Sequence, residues 1–224
     1  DLDDPAMLLH LNNGLFLEFV RQEELSDPEP KRYAIHEVET DVRYAIVLSS
    51  NSGLWTYPVG DVVKFTSLEP HKIIVAGRTA EMLDMYGEAV FGDEADEALQ
   101  TACRESGAAV LDYHITHKPS GPDDMPAHQW LVEFERMPSD MDLLIDQIDR
   151  HLKELGHHYL DRRECLAFDK PEIVSLPAGT FRKWLESTGK RVTMQSKVPR
   201  MREDRSVADA VLQIAGFESQ QEQR

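Results

Sequence analysis

Residues 53–65, GLWTYPVGDVVKF, and residues 72–78, KIIVAGR, contain the most informative pattern in this chain. Asp61 follows a glycine and precedes a Val-Val run, and Arg78 stands just past a second apolar run. Two runs rich in β-branched residues this close together indicate neighbouring strands that carry a carboxylate and a guanidinium at their ends. Gly-Asp pairs also mark simple turns, so a turn at Asp61 remains the alternative.

A carboxylate and a guanidinium in this arrangement can hold the two hydroxyls of a ribose through charge-assisted hydrogen bonds. The alternative for Arg78 is a salt bridge to Asp84 or Glu81. Tyr57 could line the same nucleotide site, although aromatic residues on strands belong more often to the core. The pattern therefore favours a nucleotide site without requiring one.

The chain up to Arg78 has the pattern of an all-β block. Its segments are rich in Tyr, Phe, Ile and Val and are separated by turn signals such as Asp-Pro and Asn-Ser-Gly. The predicted strands are residues 15–20, 33–39, 43–49, 61–66 and 72–76.

After Arg78 the pattern changes to alternating helices and strands, which predicts an α+β fold with two helices on one face of a small mixed sheet. We place a boundary between residues 78 and 84, which divides the chain into domains 1–78 and 79–224. The predicted helices are 93–106, a helix from the 138–140 cap to about 155, 179–187 and 206–215. The predicted strands are 110–116, 129–135 and 172–176.

Composition excludes several classes of protein. The 224 residues include 41 acids against 24 Lys plus Arg, giving a net charge of -17, and such a surface repels nucleic acid and anionic lipid. No run approaches 18 apolar residues, so we expect no membrane span. Two cysteines do not make a disulfide framework, so a reducing cytoplasm is the expected compartment.

One segment opposes the acidic trend. Residues 182–205 contain eight Lys or Arg against three acids, and an acidic protein that concentrates cations in one stretch can use them on a phosphate. The alternative is a solvated surface patch. The pair His157–His158 could suggest a metal, but no further ligand falls at a suitable spacing, so we expect a solvated helix end and no metal site.

The order of motifs resembles one known family. The motifs are EF at 18–19, VET at 38–40, RYAIVLSSNSGLWTYPVGDVV at 43–63, IIVAGR at 73–78, GEAVFGDEADEAL at 87–99 and LPAGTFRKWLESTGKRVTMQSKVPR at 176–200. From Met7 to Ile214 the chain is similar to the auxin-responsive-promoter family of acyl acid amido synthetases, a branch of the adenylate-forming superfamily. The most specific parts are Gly53–Val63 and Gln195–Arg200.

The resemblance implies a ligase that uses ATP and Mg²⁺ to adenylate a carboxylic acid and then transfers the acyl group to an amine, usually that of an amino acid. It implies that residues 1–78 are a β-rich part of the large adenylation domain and that 79–224 are the small mobile domain. Asp61 and Arg78 would bind the ribose, and Tyr57 and Arg200 would contribute to nucleotide binding. Lys197 would be catalytic.

The chain also departs from the family. It has no Ser/Thr/Gly-rich phosphate loop and does not start with Met, so we expect the C-terminal part of a longer enzyme, inactive without its N-terminal portion. Plant members usually have Arg where Thr56 and Pro58 stand, so the role of those arginines cannot be transferred. The alternative function is a non-catalytic α+β binding or dimerisation module. The sequence does not identify the acid or the amine.

Overall fold

A computed structural model describes residues 5–25, 27–119, 121, 124–189 and 196–217. Within the chain, contacts separate two units, Asp1–Ala80 and Glu81–Arg224, here called unit 1 and unit 2. None of the helices in the described parts of the chain is both long and apolar enough to cross a membrane.

Unit 1 is built on one antiparallel sheet of five strands, in the order β1-β5-β4-β3-β2. A short 3₁₀ helix, Gln22–Glu24, follows the second strand. The strands are β1 Met7–Leu8, β2 Leu15–Arg21, β3 Arg43–Ser50, β4 Tyr57–Leu68 and β5 His71–Arg78.

Three aromatic side chains form the centre of the unit 1 core. Phe19, Tyr44 and Phe65 are fully buried, and their rings meet edge to face with centroids 5.2 to 6.2 Å apart. Such pairs contribute about 0.5–1.5 kcal/mol each beyond the burial of area. The aromatic-rich strands predicted from sequence therefore pack as expected.

The predicted strand at residues 33–39 is wrong. Only Tyr33 makes an isolated bridge, with Phe19, and the residues that follow form a turn. The Glu37 amide donates to the Ala34 carbonyl oxygen at 2.9 Å, and the Ala34 amide donates to Glu37 Oε2 at 2.8 Å. These local bonds satisfy the backbone that a strand would have paired.

Unit 2 contains a mixed sheet of three strands, with β8 antiparallel and β10 parallel to the central β9, so the α+β prediction is confirmed. A small two-stranded sheet precedes it. The elements are β6 Met82–Leu83, β7 Val90–Phe91, α1 Gly92–Ser106, β8 Ala109–His117, β9 His128–Arg136, α2 Met141–Leu155, α3 His157–Glu164, β10 Glu172–Leu176, α4 Thr180–Ser187 and α5 Ser206–Ala215.

Helices cover both faces of this sheet rather than the one face expected from sequence. Trp130 and Leu131 are adjacent on β9 and both fully buried, and successive strand residues point to opposite faces. Trp130 packs in the core that includes Leu99 and Ile148 of α1 and α2. Leu131 packs with α4 and α5. A sheet buried on both faces needs a continuous apolar run, as the sequence WLV at 130–132 provides.

Helix α3 was not predicted, because its eight residues show no apolar periodicity. Tertiary contacts stabilise it instead. Tyr159 is fully buried, its hydroxyl donates to Asp149 Oδ1 at 2.7 Å, and Arg163 Nε donates to the same oxygen at 2.7 Å. His157 and His158 are exposed on this helix.

Candidate functional site

Asp61 and Arg78 lie directly opposite each other on β4 and β5. Because Asp61 lies within a strand, the turn alternative is excluded. Arg78 Nε is 4.0 Å from Asp61 Oδ1, and the two side chains are 70% and 46% exposed. An exposed ion pair contributes at most about 1 kcal/mol, so both side chains can turn towards a ligand with little loss of stability.

A bulge in β4 sets the direction of Asp61. Pro58 pairs with Val47 and Val62 pairs with Ala45, so three residues of β4 stand where β3 has one. Gly60, inside the bulge, has a φ of +89°, which glycine adopts far more readily than other residues. Bulges re-aim side chains and are common beside functional sites, and Gly60 therefore permits the exposed position of Asp61.

Tyr57 is 50% exposed, so the alternative that it belongs to the core is wrong, and the nearby Trp55 is 79% exposed. Tyr57 is the first residue of β4, the strand that carries Asp61. Exposed rings can offer apolar area to a flat ligand. A role of Tyr57 in nucleotide binding stays a prediction.

In unit 2, residues 199–202 lie alongside β8. The Ile115 amide donates to the Arg200 carbonyl oxygen at 2.8 Å, and the Arg202 amide donates to the Ile115 carbonyl oxygen at 3.0 Å. These bonds form a parallel bridge between Ile115 and Met201. The extended backbone agrees with what Pro199 predicts, and it ties the segment after Lys197 to the sheet.

His114 fastens the same segment from within the core. Its side chain is fully buried, and its Nδ1 donates to the Pro199 carbonyl oxygen at 2.7 Å. Burial lowers the pKa of His114, although the bond to Pro199 acts in the opposite direction. Its Nε2 has no hydrogen-bond partner among the described residues, so a second proton would find no acceptor there.

Lys197 itself is exposed. Its neighbour Val198 is buried in the α4–α5 core and anchors the backbone. Within the described ranges, no carboxylate forms an ion pair with the Lys197 ammonium group. The ammonium group is therefore available to an anionic ligand.

The basic stretch 182–205 contains two kinds of cation. Lys190 and Arg191 lie outside the described residues. Four arginines are paired with carboxylates, namely Arg182 with Glu186, Arg200 with Asp112, Arg202 with Asp204 and Arg205 with Asp209. Lys197 and Lys183, both exposed, have no such pair among the residues that the structure describes. The solvated-patch alternative therefore accounts for much of the stretch but leaves Lys197 available.

Arg200 is held much more firmly than Lys197. Its Nη1 is 3.1 Å from Asp112 Oδ1, and its guanidinium lies 4.6 Å from the centre of the Tyr113 ring. It borders an open cleft of about 330 Å³ that Asp96 and Cys103 also line. Burial raises the pKa of the Cys103 thiol, which disfavours a nucleophilic thiolate. Contact between Arg200 and a nucleotide stays a prediction, and it would require competition with Asp112.

Sequence reasoning missed one cluster, formed by Glu88, His117 and His128. His117 Nε2 and His128 Nε2 donate to Glu88 Oε1 at 2.5 and 3.1 Å. Burial raises the pKa of Glu88, but the two hydrogen bonds outweigh it and bring that pKa far below its usual range. The sequence signal was a histidine directly after the predicted strand 110–116 and another directly before the predicted strand 129–135, and nothing linked the distant Glu88 to them.

Comparisons with known proteins agree with this architecture. The sequence model of the GH3 family central domain matches residues 8–78, and that of the GH3 family C-terminal domain matches residues 93–206. No curated protein matches the chain.

Solved structures resemble the chain in fold. "GH3.15 acyl acid amido synthetase" has 17% identity and a TM-score of 0.66, over 88% of this chain and 36% of that one. "AtGH3.15 acyl acid amido synthetase in complex with 2,4-DB" has 17% identity and a TM-score of 0.64 over the same shares. A 2-hydroxyisobutyryl-CoA ligase in the postadenylation state has 15% identity and a TM-score of 0.49, over 91% of this chain and 39% of that one. The chain thus spans about a third of the length of the structures it matches.

Proposed function

The chain belongs to the GH3 family, and from that membership we propose that it is the C-terminal part of an ATP-dependent acyl acid amido synthetase. In the proposed reaction, a carboxylate oxygen attacks the α-phosphorus of ATP, which forms an acyl-adenylate and releases pyrophosphate. The amine of an amino acid then attacks the acyl carbon, an amide forms and AMP leaves. The chain alone is expected to be inactive, because the phosphate loop and most of the acyl pocket would lie in the remainder of the protein.

The observation that carries the proposal is the exposed Asp61–Arg78 pair beside the Gly60 bulge. An ionised carboxylate that accepts both ribose hydroxyls orients the nucleotide for attack at its α-phosphorus. Arg78 would donate to the ribose, and Tyr57 would line the site. The weak ion pair supports this role, because a strong one would compete with the ligand.

Lys197 would supply positive charge to the reacting phosphates. An ammonium group near the α-phosphate and the leaving pyrophosphate stabilises the charge that develops between them. Two observations support this role: the Lys197 ammonium group has no carboxylate partner among the described residues, and its backbone is anchored through Val198. Mg²⁺ would enter with the ATP phosphates, and none of the residues named here is assigned to it as a ligand.

We also propose that residues 1–78 belong to the large adenylation domain and 79–224 form the small domain. Movement of the small domain between the two half-reactions would be absorbed by the segment around residues 78–84. The cytoplasm is the proposed compartment, and two free cysteines among the described residues are consistent with it.

The test uses the full-length enzyme and compares ATP with 2′,3′-dideoxy-ATP in acid-dependent pyrophosphate exchange. Asp61→Ala removes two hydrogen bonds to a charged group, each contributing about 1.5–3 kcal/mol, so exchange with ATP should fall by orders of magnitude. Exchange with the dideoxy nucleotide should change much less, because that nucleotide has no hydroxyls to bind.

The exposed acid Glu29 provides a matched control, and Glu29→Ala should leave both rates unchanged. If Asp61→Ala reduced the two nucleotides equally, Asp61 would not bind the ribose. If the wild-type enzyme catalysed no exchange with any carboxylic acid of a broad panel, the non-catalytic alternative would be favoured.

A further inference from the structure

Unit 2 contains a buried cluster of potential metal ligands, formed by Glu88, His117 and His128. All three side chains are buried, with exposed fractions of 0%, 4% and 0%. One potential metal-ligand atom from each lies within 4.8 Å of the other two. Two imidazoles and one carboxylate that converge in this way form a typical ligand set for zinc and related ions.

The fold brings these side chains together from separate segments. His117 ends β8, His128 begins β9, and the two residues are direct partners across the hairpin. Glu88 comes from the segment between β6 and β7, where the Tyr86 amide donates to its Oε2 at 2.9 Å. The cluster therefore joins the segment before α1 to the loop end of the β8–β9 hairpin.

The spacing suits a small cation. Zinc lies about 2.0–2.1 Å from nitrogen and oxygen ligands, so ligand atoms in a tetrahedral site are about 3.3 Å apart. The distances from Glu88 Oε1 to the two imidazole nitrogens are 3.1 Å for His128 and 2.5 Å for His117. An outward movement of about 0.2 and 0.8 Å would bring both to the tetrahedral value, and no change of rotamer is needed for so small a shift.

The charge balance also favours a cation. A buried carboxylate requires a paired charge or a metal, and among the described residues the groups that pair with Glu88 are His117 and His128, which are charged only when protonated. Aromatic rings pack against the two histidines. The Tyr86 ring meets His117 at 5.2 Å, the Phe168 ring meets His128 at 4.8 Å, and the Tyr159 ring stacks on His128 at 6.0 Å.

We propose that Glu88, His117 and His128 bind a divalent transition-metal ion of the zinc type, which fastens residues 84–91 to the β8–β9 hairpin. We assign the ion a structural role, because all three ligands are buried, and a water molecule would complete its tetrahedral coordination. This inference departs from the expectation of no metal site, which considered only His157–His158. It is independent of the proposed adenylation chemistry.

The test is metal binding by the purified 224-residue chain. The chain is unfolded, freed of bound metals and refolded in buffer that contains either Co²⁺ or Zn²⁺ alone, so that the metal can reach the buried site. We expect one equivalent of Co²⁺ with the visible d–d absorption of a tetrahedral His-carboxylate site. Zn²⁺ should displace it, and the melting temperature should rise with free Zn²⁺ concentration.

Glu88→Gln keeps the side-chain volume but removes the charged ligand. Since loss of an outer-sphere partner already reduces affinity about 10–100-fold, this change should reduce Co²⁺ affinity at least about 100-fold. His128→Gln provides a second variant, and circular dichroism reports whether each one folds. The double variant His157→Ala/His158→Ala removes two exposed histidines and should bind Co²⁺ as the wild type does.

Four results would overturn the proposal. One is a folded wild-type chain that binds no metal after refolding. Another is loss of Co²⁺ binding in the His157/His158 variant, which would move the site to the surface pair. The third is unchanged affinity in folded Glu88→Gln and His128→Gln. If neither ligand variant folds, a wild-type melting temperature that is independent of Zn²⁺ and of chelator also refutes the proposal.

Discussion

Replacement of His114 should loosen the segment that carries Lys197 and remove part of the pH dependence of stability. The fully buried imidazole holds the Pro199 carbonyl oxygen through Nδ1 at 2.7 Å. His114→Ala deletes this bond and leaves the partly buried Pro199 carbonyl group without its side-chain partner. His114→Asn retains an N–H donor at a similar position and serves as the conservative change.

The magnitude follows from the lost contacts. Loss of a hydrogen bond costs about 0.5–1.5 kcal/mol, and the cavity left by a fully buried large side chain adds to this, so His114→Ala should destabilise by about 2–4 kcal/mol. His114→Asn should destabilise by about 1 kcal/mol. In the alanine variant the amide protons of Ile115 and Arg202 should exchange faster, tenfold for each loss of about 1.4 kcal/mol in local opening free energy.

The pH dependence has a definite sign. Burial lowers the pKa of His114 in the native state, the nearby Arg202 and Arg205 lower it further, and Pro199 and Asp204 raise it. Below the unfolded pKa of about 6.5, the unfolded chain binds a proton that the native chain does not. The unfolding free energy should therefore fall as pH drops through 6.5 towards the folded pKa, by at most about 1.4 kcal/mol per pH unit from this group.

Urea unfolding of the 224-residue chain at pH 5 to 8 gives the free energy of unfolding at each pH. The difference in its pH slope between the wild type and His114→Asn measures the contribution of His114. The exposed His158 provides the control, because His158→Asn should retain the wild-type slope. The reasoning is refuted if His114→Asn unfolds with the wild-type pH slope. Unchanged exchange at Ile115 and Arg202 in His114→Ala would show that the bond to Pro199 does not hold the segment.

In the full-length enzyme, Lys197→Ala should slow adenylation about 100-fold, or about 2.7 kcal/mol, with a smaller change in ATP affinity and normal amide formation from supplied acyl-adenylate. Lys183→Ala, an exposed lysine of the same basic stretch, should change little, and equal effects of the two variants would support the solvated-patch alternative. Limited proteolysis should cut the 224-residue chain between residues 78 and 84. Protection there, with cleavage inside 93–106, would contradict the proposed domains.

Local sequence patterns predicted most elements of the fold. Apolar periodicity and caps located α1, α2 and α5, since a helix with an amphipathic face is encoded within its own residues. The two apolar runs around Asp61 and Arg78 predicted neighbouring strands for the same reason. The segment 33–39 has strand-like composition but forms a turn, because Glu37 bonds to the nearby backbone. Helix α3 depends on Asp149, which lies eight or more residues before the helix.

The candidate site was also predicted only in part from the sequence. Residue type and motif order indicated Asp61, Arg78 and Lys197 as candidates, because a ribose and a phosphate require a carboxylate and cations, and these are visible in a sequence. The availability of each group was not visible. The weak pairing of Asp61 depends on the Gly60 bulge, and the difference between Lys197 and Arg200 depends on Asp112, which is far from both in the chain.

The sequence by itself therefore determined the family, the α+β composition and the chemical types of the candidate residues, since each of these is carried by short, contiguous patterns. Only the tertiary structure decided which charges are neutralised, that helices cover both faces of the unit 2 sheet, and that Glu88 meets His117 and His128. The contacts of Glu88, for example, join side chains that are 29 and 40 residues apart. Their contacts form only when strand pairing and helix packing bring distant segments together, and no local periodicity records such pairing.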